Sequence, residues 1–498
     1  MTSKKNLRRG TSVLLIQPPV FRKPKPWETS PLIDEFWDSV SVMGTQYGDQ
    51  DIEPNHGLLY VASALRKADF SVEIVDFHFQ DILLRNERRR YINKDDIRGI
   101  LSQKKLEYVG ISCLTPNAHW AKKISDIVKS INPASYVFVG GIFATFASEH
   151  ILSKWKNVDA VVRGEGEITA VELLDRKVNN KNLEGVLGIS YRATNGELKD
   201  TPDRPLIKDL DSIPYPAYDL LPKECPRLVP RIQLARGCKY NCTFCAPRVL
   251  WRNRVRYRDP KKVVDQIAYL IDKHNVRYFL IGDLTFFQKD ENQTRNYYVE
   301  LCNEISRRKL DIKWWCQTRV ELVTDECARL LSKAGCVQVG LGIEIASQRA
   351  RDAVKKENDI HDTRKACRYL KQNGIAVQAY IMIGLPEETI DDAFHTIKMI
   401  EELIQENLID LTNIAVLVPY PCLEFCADAK NDAIRILDRD FSDYYMGVCR
   451  WINPMPTYET PYLSRFQIRA LWELALATAA KNHRMKSNEK VSGRKSAK

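Results

Sequence analysis

The chain has 498 residues, 44% of them apolar and 28% charged, the composition of an ordinary globular protein too long for a single core. Its net charge of +11 excludes less than it suggests, because Lys4, Lys5, Arg8 and Arg9 at one end carry +4 and residues 481–498 carry +6, leaving the body nearly neutral. With no basic helix or interleaved aromatic stripe in that body, a specific nucleic-acid site is not expected, and the basic ends read as solvated tails. No apolar run nears bilayer length: the longest, "YVFVGGIFATFA", is broken by Gly140 and Gly141, and "MTSKKNLRRG" lacks the apolar core of a signal peptide. A cytoplasmic protein without a membrane span is the expectation. Thirteen cysteines form no even framework in so large a chain. Cys113, Cys302, Cys316, Cys327, Cys336 and Cys367 sit singly in apolar-periodic segments and are expected to be buried reduced thiols.

In chain order, the first elements are "SVLLIQPP", "SVEIVDF", "EYVGISCLT", "SYVFVGG" and "VDAVVRGEGE". Each is a short apolar, β-branched run, and amphipathic stretches such as "GLLYVASALRKAD" and "NAHWAKKISDIVKSI" lie between them. This alternation predicts a doubly wound, flavodoxin- or Rossmann-like parallel sheet over residues 10–175. Ligands of such sheets bind beyond the carboxyl ends of the strands, where Ser112, Thr115, Gly140 and Gly141 fall. Residues 176–229, with "NNKNLEG", "ATNGELKDTPDRP" and "DSIPYPAYDLLPKECP", read as a linker of turns and extended chain. Six further runs follow: "RIQLARG", "VRYFLIGD", "DIKWWCQT", "CVQVGLGIEI", "VQAYIMIG" and "LTNIAVLVPY". Helical patterns separate them, so residues 230–430 are expected to form a partial (β/α)6 barrel. Residues 431–482 read as a C-terminal helical extension and residues 483–498 as a disordered basic tail.

The segment "ARGCKYNCTFCAPR" sets Cys238, Cys242 and Cys245 on the loop after the first barrel strand, at the end where barrels keep their active sites. Thiolates suit zinc or an iron–sulfur cluster. A structural zinc needs four closed ligands, commonly two separated pairs, and no second pair appears downstream. Three thiolates on a cubane cluster leave one iron open to a small molecule.

This C-x3-C-x2-C, with Tyr240 and Phe244 between the thiols, resembles the signature of radical S-adenosylmethionine (SAM) enzymes. The resemblance implies a [4Fe–4S] cluster whose free iron chelates SAM, and a deoxyadenosyl radical formed on reduction. "YFLIGDLTF" places Gly282 and Asp283 where the family contacts the SAM amino group. "GLGIEIASQ" places Glu344 at the family's "GIESG" acid. "YIMIGLPEET" is similar to "MIGLPGET" through Gly384, Pro386 and Glu387, near adenine. Read from the residues alone, Asp283 could cap a helix, Glu344 could be an ion-pair partner, and Gly384 could shape a turn.

The first half, through "VLLIQPP", "GLLYVASALRKADFSVEIVDF", "VGISCLT", "FVGGIFATF", "VDAVVRGEGE" and "DLDSIPYPAYDLL", resembles a cobalamin-binding domain fused ahead of a radical SAM barrel. Gly140 and Gly141 would let backbone approach the buried nucleotide tail, and Ser112 and Thr115 would offer it hydroxyls; the residues alone also allow a packing pair and a polar turn. "DFHFQD" carries Asp76 and His78 of a cobalt-ligating D-x-H-x-x-G, but it follows the second strand and Asp81 replaces the glycine. The resemblance therefore implies cobalt without a protein imidazole beneath it, His56 and His119 being the remaining loop histidines.

The family's "PYPGTPLY" is "PYPCLEFC" here, with Cys422 and Leu423 at the substrate rim, and "GIESG" is "GIEIA". The implied activity is cobalamin-dependent radical C-methylation of an unactivated carbon in a small-molecule substrate, with flavodoxin or ferredoxin as electron donor. Cyclisation, ring contraction or oxidation by the same radical is the alternative, and a corrinoid or iron–sulfur sensor a more distant one. No catalytic acid or base is assigned; Tyr240 could line the site or serve as packing.

Overall fold

The computed structural model describes residues 8–19, 51–52, 54–88, 90–222, 227–288, 296–356, 358–427, 433–438 and 455–496. They fall in two compact units, built mainly on Pro54–Pro226 and on Arg227–Arg439.

In the first unit, β1 (Ser12–Gln17), β2 (Ser71–Asp76), β3 (Tyr108–Ser112), β4 (Tyr136–Gly140) and β5 (Ala160–Val162) form a parallel sheet in the order β2-β1-β3-β4-β5. β1 is buried from Val13 to Gln17, as a strand covered on both faces must be. Helix α1 (His56–Lys67) starts at Asn55, whose side chain accepts from the Leu58 amide at 3.0 Å. Helix α2 (Ala118–Ile131) sets Ala121, Ile124 and Val128 at helical spacing into one core with Leu14, Ile16, Val109, Ile111 and Val137. The strand order reverses between β1 and β3, which makes their carboxyl ends the crevice of this sheet.

The linker needs correction. Residues 189–200 add β6 (Ile189–Arg192) and β7 (Leu198–Asp200) antiparallel to the edge at β5. Gly196, at φ +83°, turns the hairpin, and the Ala193 amide donates to the Glu197 carbonyl at 2.8 Å.

In the second unit, β8 (Arg231–Ile232), β9 (Tyr278–Ile281), β10 (Lys313–Arg319), β11 (Cys336–Glu344), β12 (Ala376–Ile383) and β13 (Leu411–Val416) lie side by side in chain order, all parallel. Each of the six runs in the sequence supplies one strand. β8 and β13 do not pair, so the barrel is open. Parallel neighbours need crossovers, which helices such as Pro260–His274 and α3 (Ile390–Gln405) provide.

The C-terminal helix, α4 (Arg465–Ser496), runs through most of the segment expected to be disordered. It is anchored as far as His483: the Trp472 indole donates to the Ile414 carbonyl at 2.8 Å and His483 lies 3.1 Å from the Thr412 hydroxyl. Beyond that, lysine, arginine, glutamate and methionine favour helix, and Gly493 alone opposes it strongly. Cys113, Cys302, Cys316, Cys336 and Cys367 are buried free thiols, whereas Cys327 is only half-buried, in the first turn of the helix Asp325–Lys333. Among the described residues no helix is long and apolar enough to cross a membrane.

Candidate functional site: a cysteine loop on the barrel and a polar crevice on the first sheet

The cysteine loop is held from both sides. Asp283, just past β9, accepts from the Leu234 and Ala235 amides through one carboxylate oxygen, at 2.9 and 3.1 Å. The carboxyl is fully buried beside Tyr298, and burial pushes it up to about 7. Gln288 accepts from the Lys239 amide at 3.3 Å and donates to the Gly237 carbonyl at 3.1 Å. The Thr285 hydroxyl lies 3.5 Å from the Cys238 sulfur. Gly282 makes room for Arg231, whose Cγ would lie 2.3 Å from an added Cβ.

Cys238 and Cys242 are buried and Cys245 is half-buried at the start of the short helix Ala246–Trp251. Burial raises the Cys242 thiol and pushes Cys245 up to about 12. Thiols so desolvated become ligands only when a cation compensates the thiolate. Arg319, the last residue of β10, donates to the Cys242 sulfur at 3.3 Å and stacks on Tyr240, 3.9 Å from the ring centre. No three His, Cys, Asp or Glu side chains among the described residues converge as a single metal ion requires. Ligands of a cubane cluster bind separate irons and need no such convergence.

The remaining strand ends carry the other expected residues. Glu344 closes β11 after a register shift, at φ +66°, and its carboxylate is paired with Lys356 at 3.0 Å, both side chains nearly fully buried. Gly384 sits past β12 at φ +83°, where an added Cβ would lie 2.4 Å from the Tyr458 hydroxyl. Glu387, at φ +67°, reaches outward to the Tyr462 hydroxyl at 3.1 Å and to Arg349 at 4.0 Å.

The buried carboxylate of this turn is its neighbour. Glu388 is fully buried, accepts from the Gly384 and Leu385 amides, and is pushed by burial up to about 8. The sequence reading passed over it. The signal was present: laid on "MIGLPGET" in register, Glu387 occupies the glycine position, which its left-handed φ explains, and Glu388 takes the glutamate.

On the first sheet, Asn55 joins the two strands at the crevice, donating to Gln17 at 2.6 Å and to Ser112 at 2.9 Å. Neither Asn55 nor Gln17 stood out in the sequence. The Thr115 hydroxyl is buried without a hydrogen bond. Gly141, at φ +117°, packs so close to Cys113 that an added Cβ would lie 2.6 Å from its carbonyl oxygen, whereas Gly140 meets only ordinary contacts. Asp76 and Asp81 serve the backbone, accepting from the Phe79 and Ile92 amides at 2.9 and 2.8 Å. His56 packs against Tyr60 and Tyr218, and His119 against Trp120. His78 lies half-buried in the helix Phe77–Arg88.

Residues 232–400 match the model of the radical SAM superfamily, and residues 50–174 that of the B12 binding domain. An uncharacterized methyltransferase of Pyrococcus horikoshii is 31% identical over 372 residues, covering 74% of this chain and 76% of the relative. The chain belongs to the cobalamin-dependent radical SAM enzymes. The anaerobic magnesium-protoporphyrin IX monomethyl ester cyclase of Rubrivivax gelatinosus is 33% identical over 374 residues, 72% of this radical SAM chain and 65% of the cyclase. The chain thus spans just under two thirds of that relative. Two solved structures share the fold. The cobalamin-dependent SAM radical enzyme OxsB, with aqua-cobalamin and SAM bound, has a TM-score of 0.61 at 20% identity over 80% of this chain and 52% of its own. The radical SAM methyltransferase TsrM of Kitasatospora setae, with cobalamin and a [4Fe–4S] cluster bound, has a TM-score of 0.62 at 18% identity over 86% and 80%. Its radical SAM and B12 binding domains make a [4Fe–4S] cluster, SAM and cobalamin the cofactors of this enzyme. The residues fit them: three thiols on one anchored loop suit the cluster, and an unsatisfied hydroxyl at the sheet crevice suits a polar tail.

Proposed function

We propose that this enzyme C-methylates an unactivated carbon of a small-molecule substrate. The observation that carries the reading is the anchored cysteine loop with its buried cationic neighbour Arg319, in a chain that also holds a B12 binding domain. When bound, the cluster with SAM supplies a hydrogen-abstracting radical and cobalamin a methyl donor. Cys238, Cys242 and Cys245 hold the cluster. Gly282, Asp283, Glu344, Gly384 and Glu387 stand at the strand ends expected to orient SAM, with Glu388 fixing the turn that carries Gly384. Ser112, Thr115, Gly140 and Gly141 stand at the crevice expected to take the cobalamin tail. A small acidic electron carrier such as flavodoxin or ferredoxin would supply the reductant.

Comparing small molecules from anaerobic host cells with and without the gene, fed methyl-deuterated methionine, tests the reading. One labelled methyl should appear in the product, and the purified enzyme should consume two SAM per turnover. The similarity to the R. gelatinosus cyclase favours a second reading, ring closure on a substrate of the tetrapyrrole class. A product with no added carbon would select it and overturn methylation.

A further inference from the structure

Arg319 is almost fully buried, with its side chain 5% exposed, and three of its nitrogens are committed. One Nη donates to the Cys242 sulfur at 3.3 Å, the other donates to the Lys356 carbonyl at 2.9 Å, and Nε pairs with Glu321. Its plane lies over Tyr240, two residues from Cys242 in the same loop. Lys356 in turn holds Glu344. One guanidinium therefore links a cluster thiolate to the strand end that carries the expected SAM acid.

We propose that Arg319 sets the reduction potential of the cluster through its charge and its hydrogen bond to the Cys242 sulfur. The cluster must accept an electron in a buried site, where that added negative charge is poorly solvated. A fixed cation within hydrogen-bond reach of a ligand sulfur stabilises the reduced state, and the low local dielectric leaves this field weakly screened. Glu321 opposes it, but it pairs with Nε whereas an Nη faces the sulfur, and Arg319 rather than Glu321 is among the charges that act most on Cys242. Cys242 also feels the Lys356 cation and the opposing Glu344 carboxylate, and Arg319 adds a positive contribution to theirs. Arg319 acts through the ligand sulfur and is a positioning and tuning residue.

The test is EPR-monitored redox potentiometry of the full-length protein, anaerobically reconstituted with iron and sulfide, without SAM or substrate. It reads the cluster alone, so its outcome is separate from whether the enzyme methylates. R319Q should shift the midpoint potential downward, R319K should fall between R319Q and wild type, and E321Q should shift it upward. A role limited to packing would not move the two charge-removing variants in opposite directions. R319Q with full cluster content and an unshifted potential overturns the proposal. If R319Q fails to retain a cluster, E321Q decides: an upward shift supports it, and an unchanged or lower potential overturns it.

Discussion

The Tyr458 hydroxyl donates to the Gly384 carbonyl at 2.7 Å, so a residue of the C-terminal extension closes the turn that ends the fifth barrel strand. Ile468 packs on the same glycine, its Cγ2 2.8 Å from where a Cβ would stand. Gly384→Ala would add left-handed strain and a double clash, and should destabilise the protein by about 2–4 kcal/mol. Tyr458→Phe removes the hydrogen bond and leaves the packing, so about 1 kcal/mol is expected. Denaturant unfolding of both variants checks the order and the sizes.

Glu388 makes stability depend on pH. Its folded carboxyl lies at about 8, above the ordinary 4.5, because burial disfavours the charge more than the Gly384 and Leu385 amides favour it. Such a group keeps its proton in the fold and releases it on unfolding, so its contribution falls as pH rises through that window. Glu388→Gln keeps an acceptor for both amides and removes the titration. Its stability relative to wild type should therefore rise from pH 5 to pH 8. Parallel pH profiles for the two proteins would contradict the assignment.

Asp283 anchors the loop of the three cysteines proposed to hold the cluster. Asp283→Ala strands two buried amides, at about 1–3 kcal/mol each, and should sharply lower iron and sulfide content after reconstitution. Asp283→Asn retains the acceptor and should load close to wild type. Equal loading by both variants would remove the anchoring role.

Much of this was legible in the sequence, for identifiable reasons. Four of the barrel strands, β10 to β13, run six to nine residues and carry enough apolar, β-branched residues to outweigh local ambiguity, and the thiol spacing is local by nature. The β6–β7 hairpin was missed because its strands are short and lie at a sheet edge, although "ISYRATNGELKD" sets Asn195-Gly196 between two extended runs. The helix beyond residue 482 was missed because charge was weighed and helix propensity was not. Asn55 and Gln17 gave no signal, since a side-chain hydrogen bond between residues 38 apart in the chain is a tertiary fact. An ion pair at Glu344 was one of the alternatives the residues left open, and the structure contains one, with Lys356.

Thr115 gives a test on the cobalamin side. Its hydroxyl is buried and unsatisfied in the protein alone, so Thr115→Val should leave the apoprotein as stable as wild type or slightly more so. If the hydroxyl meets the cobalamin tail, the same change should weaken cobalamin binding about tenfold, the loss of one hydrogen bond. Equilibrium titration followed by absorbance measures it, and an unchanged affinity would remove Thr115 from the site.

The most direct measurement of the central claim is 5′-deoxyadenosine released from SAM by the anaerobically reconstituted protein after reduction. Wild type should release it and Cys242→Ala should not. Protein carrying its full complement of iron and sulfide that releases none would contradict the account.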